Sequence, residues 1–507
     1  MQLEQIRQLA EERNQAIGRE YYPHGAGLKD TLDLASVLNS YAALNSRDVI
    51  QTVMDALHAT NDPTEKRQLA YLLGDCLEGY IQTAVSEVDD AVATAESQRT
   101  VHVDGKDVAF RQSAALMSNE TDRLKRLEIE AARRHVIRDV NVQRRASLEC
   151  VRRLIKEDLG YPGYTAFYHE LKQVDFRGFS GLMQQFMKDT HDLYVRRLNE
   201  WTQEELGVAA TECYRHDITF IMRAVKFDPY FPEERLKTTL VNTMANLGID
   251  LRSQSNIILD LEKRPTKSPR AFVVAAQVPQ EVYLVVQPRG GRDDYAAILH
   301  ESGHAEHFGN TSTNLPYEFR WLGDYSVTEC FAFTMELLTL DEGWLKQHLH
   351  MPEDVIKEYQ KYAYTVLFYL FRRYSSKLEY ELRLHDEGDL EGKEHLYSEV
   401  MEKNLIVKHS AELYLSDVDP GFYCANYLRA WIMWAQLRKY LRKEFGTEWF
   451  NSQAAGAYLK KVWALGQSLP AELLVKEFGY EGLDIGPLKE ELAAVLGGAP
   501  AVAGVDA

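Results

Sequence analysis

Leu299-His300-Glu301-Ser302-Gly303-His304-Ala305-Glu306-His307 is the stretch around which the rest of the chain reads as scaffold. At roughly 3.6 residues per turn, a helix here projects His300 and His304 from one face, one turn apart, so that two imidazole nitrogens reach one metal ion. Glu301 flanks that face. Its neighbour in sequence is already a ligand, so it is better placed to hold a water and take its proton than to bind the same ion. The pattern is HExxH, and the chemistry it predicts is metal-assisted hydrolysis.

Zinc in a hydrolase keeps three protein ligands and one open position. Downstream, Leu322–Ser326 reads as a turn, and a helix from about Val327 carries Glu329 and Glu336 seven apart on one face. Their neighbours are strongly apolar. Carboxylates in such surroundings are expected to be paired or metal-bound, because an unpaired buried charge costs several kcal/mol. Glu329 is therefore the natural third ligand of a single Zn2+ with His300 and His304. Glu336 is a hydrogen-bond acceptor for a ligating imidazole, and His307 a group that orients a ligand or contacts substrate. Glu301 is the expected general base, returning its proton to the leaving amine. Negative charge developing on the attacked carbonyl calls for a further donor. Tyr427 is the first choice, with Tyr423 and Arg429 behind it, all three following the loop Asp417-Val418-Asp419-Pro420-Gly421.

Upstream, Ala271–Val278 and Glu281–Gln287 are β-branched runs separated by Pro279-Gln280, the strongest strand candidates in the chain. A small sheet beside the motif either offers an open edge to an extended peptide or serves as a buried structural hairpin. Gly290 and Gly291 end the second run, and Asp293 or Asp294 is expected to cap the motif helix.

From Leu3 to about Val174, apolar residues recur at helical spacings, with one interruption: Val101–Val108 alternates around Asp104-Gly105 and reads as a hairpin. This half holds no constellation of ligands or nucleophiles, so its expected role is a wall, a lid or a partner surface. The chain thus divides into an N-terminal helical lobe (1–175), a catalytic helical domain containing the small sheet and the motif helix (176–496), and a disordered tail (497–507).

With 507 residues, 45% of them hydrophobic, the chain can bury a large core. A formal charge of −18 argues against nucleic acid or an anionic membrane as partner. No 18-residue apolar run exists, and the first residues have neither a basic nor an apolar leader segment, so a cytoplasmic location is expected. The five cysteines are scattered without a CxxC pair, which excludes a disulfide framework or a cysteine-based zinc site from the expectations.

At these residues the chain resembles the zinc oligopeptidase family that includes thimet oligopeptidase, neurolysin and oligoendopeptidase F. The family signature is HExGHxxH, with a ligand Glu 25 residues after the second His and another Glu seven further on, and here it is matched by His300 to His307, Glu329 and Glu336. The resemblance covers about residues 210 to 440. It implies a two-lobed, mainly α-helical protein with a small sheet next to a deep channel, cutting internal bonds of short peptides. Oligoendopeptidase F-like members have a His before Phe-Tyr in the C-terminal loop, where this chain has Gly421-Phe422-Tyr423, leaving His409 as a candidate substitute. The run from Gly421 to Leu437 is also similar to zinc carboxypeptidases of the thermostable Taq type. A carboxypeptidase, or a non-catalytic peptide-binding protein that retains the metal site, are the alternatives.

Overall fold

The computed structural model describes residues 1–497; the expected disordered tail falls almost entirely at 498–507, outside the described residues. The fold is mainly α, with about 71% of residues helical, 5% in strands, and two small sheets. The helices needed to place the site are α1 (Leu3–Gly25), α2 (Pro63–Gln98), α3 (Arg123–Arg153), α4 (Tyr164–Lys172), α5 (Arg292–Asn310), α6 (Tyr325–Glu336), α7 (Glu353–Asp386) and α8 (Cys424–Phe445). No described helix is long and apolar enough to cross a membrane.

Local chemistry accounts for the helix ends. Asp62 accepts the Thr64 and Glu65 N–H groups, and Pro63 occupies the first turn of α2, where its missing N–H costs nothing. Asp324 caps α6 through Ser326 N. The start of α5 departs from expectation: Gly291 precedes it without a side-chain cap, and the Asp294 carboxylate instead accepts Gly290 N–H at 2.8 Å, tying the helix to the loop before it.

The expected hairpin forms from β1 (Thr100–Val103) and β2 (Lys106–Ala109). The second sheet is larger than the sequence suggests. β4 (Phe272–Gln277) and β5 (Glu281–Val285) pair antiparallel, and β3 (Ile257–Asp260) adds parallel to β5, giving the order β3-β5-β4. β4 is an edge strand. β5 packs against α5, with Val282 and Leu284 buried. On the opposite face Tyr283 stacks on Tyr22 of α1 with ring centroids 3.7 Å apart, and Arg19 reaches Glu281 at 2.8 Å. The chain's first helix thus covers the sheet beside the motif.

Beneath the motif, α5 packs on α6, α6 on α8 and α8 on α7. Every residue of α6 from Ser326 to Met335 is buried, as expected of a helix apolar around its whole circumference. This stack holds the two segments carrying His300, His304 and Glu329 in fixed register.

Candidate metal centre

α5 carries His300 and His304 one turn apart, their ring centroids separated by 4.9 Å. From α6 beneath, Glu329 Oε2 lies 3.5 Å from His300 Nε2 and 3.8 Å from His304 Nε2. One donor atom of each residue lies within 4.8 Å of the others, a spread that one ion can span.

The other nitrogen of each ring is already engaged. His300 Nδ1 is 2.8 Å from Glu336 Oε2, and His304 Nδ1 is 2.7 Å from Thr328 Oγ1. A carboxylate is only an acceptor, so His300 Nδ1 carries a proton, which leaves Nε2 as the nitrogen that can turn a lone pair to a metal once the ring is neutral. Glu329 Oε2 is buried and, among the described residues, has no hydrogen-bond partner. Three potential ligand atoms therefore converge on one point. Two imidazoles and a carboxylate form the donor set of a hydrolytic zinc site, so these residues fit the ion. In the ion-free chain, burial opposes charge on His300, but Glu336, Glu329 and Glu301 outweigh it and lift the ring to about 9. Burial and the neighbouring histidines push His304 well below its usual value. Cation binding would release the proton of His300.

Glu301 lines an open cleft of about 340 Å3 together with His300, Glu336, Arg270 and Ala271, the last two leading into the edge strand β4. Burial, then the charges of Glu329 and Glu336 working against His300, raise its carboxyl to about 7, in the range that suits proton exchange near neutrality.

Tyr423 donates its phenol hydrogen to Glu329 Oε1 at 3.1 Å. Tyr427, one turn later on α8, lies against Tyr423, Phe333 and Tyr374, and its hydroxyl has no hydrogen-bond partner among the described residues. Burial and then the charge of Glu329 hold both phenols well above their ordinary value, so at neutral pH both are donors.

Three other sequence candidates lie elsewhere. Arg429 is buried below the site, gripping Asp324 and Glu472 at 2.7 and 2.6 Å and Ser326 Oγ at 2.7 Å. It therefore secures the start of α6 and does not reach over the cleft. His307 is fully buried, its Nε2 3.2 Å from the Gly466 carbonyl and its ring against Phe331; burial pushes it down to about 4. His409 is buried near Tyr397 with Nδ1 on the Val407 carbonyl.

The sequence reading did not single out Thr328, whose only signal is its place beside Glu329. It also missed Asp324 and Glu472, whose pairing with Arg429 joins positions far apart in the chain. A second convergence of Glu381, Asp419 and Cys424 contains its own cation: Lys377 Nζ stands 2.7 Å from Asp419 and 3.8 Å from Glu381. Compared with protein-family models and with curated proteins, the chain finds no match in either.

Proposed function

We propose that the protein is a zinc-dependent metallopeptidase that hydrolyses internal peptide bonds of short oligopeptides. The observation that carries this reading is the unpartnered Glu329 Oε2 facing the Nε2 atoms of His300 and His304, with Glu301 beside them at the cleft. His300, His304 and Glu329 would hold the zinc ion, which when bound would supply Lewis acidity for a carbonyl and make water more acidic.

The chain's own groups perform the remaining tasks. Glu336 and Thr328 fix the orientation of the two imidazoles. Glu301 takes the proton of the attacking water and passes it to the amine that leaves. Tyr427, with its hydroxyl uncommitted, donates to the oxygen on which negative charge develops, and Tyr423 both holds Glu329 and stands next in line. The edge strand β4, leading out of the cleft wall, suits a substrate backbone bound in extended form. A carboxypeptidase is the second reading, favoured by Gly421 where endopeptidases of this kind carry a His.

The test is mass spectrometry of a peptide panel, free and blocked at the C-terminus, incubated with the zinc-loaded protein and with Glu301→Gln. Internal cuts lost in the variant support the endopeptidase, and release of single residues from free C-termini alone supports the carboxypeptidase. Bound zinc without cleavage refutes both.

A further inference from the structure

The turn before Tyr423 is held by a helix from the other half of the chain. Gly421 and Phe422 are consecutive left-handed residues, with φ of +60° and +56°. A non-glycine residue in that region is uncommon and persists where its surroundings enforce it. Phe422 is fully buried against Tyr164, Tyr168, Phe176 and His385. Both polar atoms of Gly421 are taken by side chains of α4: its N–H donates to Tyr164 Oη at 2.7 Å, and its carbonyl accepts from Lys172 Nζ at 2.9 Å. A Cβ at position 421 would come 2.6 Å from the Tyr168 ring, so only glycine lets the turn approach α4 this closely. Tyr423 follows at once, opens α8, and places its phenol 3.1 Å from Glu329 Oε1.

The preceding residues are secured from α7. Asp417 pairs with Arg373 at 2.6 Å, and Asp419 offers its N–H to Glu381 at 2.8 Å and its carboxylate to Lys377 at 2.7 Å. The segment is thus tied to α7 through Asp417 and Asp419 and to α4 through both polar groups of Gly421.

We propose that Lys172 and Tyr164 are positioning residues for Tyr423: by fixing the Gly421 peptide they set the phenol against Glu329. Whatever the site catalyses, the contact itself depends on α4; the consequence for turnover rests on the peptidase reading.

The experiment uses the full chain with 3-fluorotyrosine at position 423, its 19F resonance recorded in the parent, Lys172→Met, Lys172→Arg and Tyr164→Phe. The resonance is expected to shift in Lys172→Met and Tyr164→Phe and to return toward the parent position in Lys172→Arg. An unchanged resonance in folded Lys172→Met and Tyr164→Phe proteins, checked by circular dichroism, overturns the proposal. This readout stands even if no peptide is cleaved, so the two readings fail separately. Where cleavage is found, Lys172→Met should lower kcat by on the order of 10²-fold with KM nearly unchanged. The loss should not add to that of Tyr423→Phe in the double variant, whereas additive losses would mark Lys172 as a general stabiliser and overturn the assignment.

Discussion

Gly303 of α5 packs directly against Ala332 of α6. A Cβ built on Gly303 would stand 2.6 Å from Ala332 Cα and would also run into the Phe331 carbonyl, so no side chain fits between the helices. This approach brings Glu329, one turn before Phe333 on α6, under the imidazoles of α5. The glycine within HExGH is thus a requirement of helix packing on which the placement of Glu329 beneath His300 and His304 depends.

Gly303→Ala is accordingly expected to separate the helices. Overpacking of this kind costs about 1–3 kcal/mol. It should also displace Glu329 from His300 and His304, so a zinc titration of the folded variant should show weakened binding alongside the lower melting temperature. A variant destabilised but with unaltered zinc affinity would show that the crossing and the ligand set are independent.

The outer partners of the two imidazoles make a second prediction. Glu336→Gln leaves His300 facing an amide that has lost its charge, and Thr328→Val removes the hydrogen bond to His304 Nδ1. Loss of such partners typically weakens metal binding by roughly 10- to 100-fold. Competition against a chromophoric chelator measures this directly, and Glu329→Ala, which removes a ligand outright, should exceed either.

The two tyrosines are separable because only one is committed. Tyr423 already donates to Glu329, while the Tyr427 hydroxyl has no hydrogen-bond partner among the described residues. If Tyr427 donates to the developing oxyanion, Tyr427→Phe should lower kcat by about 10²–10³-fold with zinc affinity unchanged. Tyr423→Phe leaves Glu329 Oε1 without its donor, so it should alter zinc affinity as well as turnover. Steady-state kinetics beside metal titration distinguishes the two patterns.

How far the sequence revealed the site depended on distance along the chain. His300, Glu301 and His304 were legible because helical geometry fixes residues four apart, and Glu329 because carboxylates in an apolar helix demand a partner. The same reasoning misplaced His307. Seven residues advance a helix by about 10 Å, which carries that ring against Phe331 and the Gly466 carbonyl, although it shares a side with His300. Arg429 was illegible for another reason: its partners Asp324 and Glu472 lie on separate elements, and no local pattern announces them. β3 escaped notice because four residues, Ile257 to Asp260, are too few to show a period, and they are recruited by a strand 25 residues away. Tyr164 and Lys172, in a half of the chain with no chemical motif, are legible only once Gly421 is seen between them.

The buried group Glu381 offers a test of stability against pH. Its side chain is fully inaccessible, accepting the Asp419 N–H at 2.8 Å and facing the Cys424 thiol at 3.4 Å. Lys377 is nearer to Asp419 than to Glu381, 2.7 against 3.8 Å, and its charge is shared among Glu381, Asp419 and Asp417. Burial, reinforced by the charge of Asp419 and only partly offset by Lys377, raises Glu381 from an ordinary value of 4.5 to about 8. The folded state therefore binds a proton that the unfolded chain releases between those values. This group's contribution to stability must decline as pH rises from about 4.5 toward 8, by at most about 1.4 kcal/mol per pH unit, and level off above. Glu381→Gln retains an acceptor for Asp419 and removes the titration, so the variant should gain on the parent steadily through that window. Thermal melts of both proteins from about pH 5 to about pH 9 give the difference free of groups they share. A constant deficit in the variant at every pH would instead mean that Glu381 is ionised in the fold and serves as a counter-ion to Lys377.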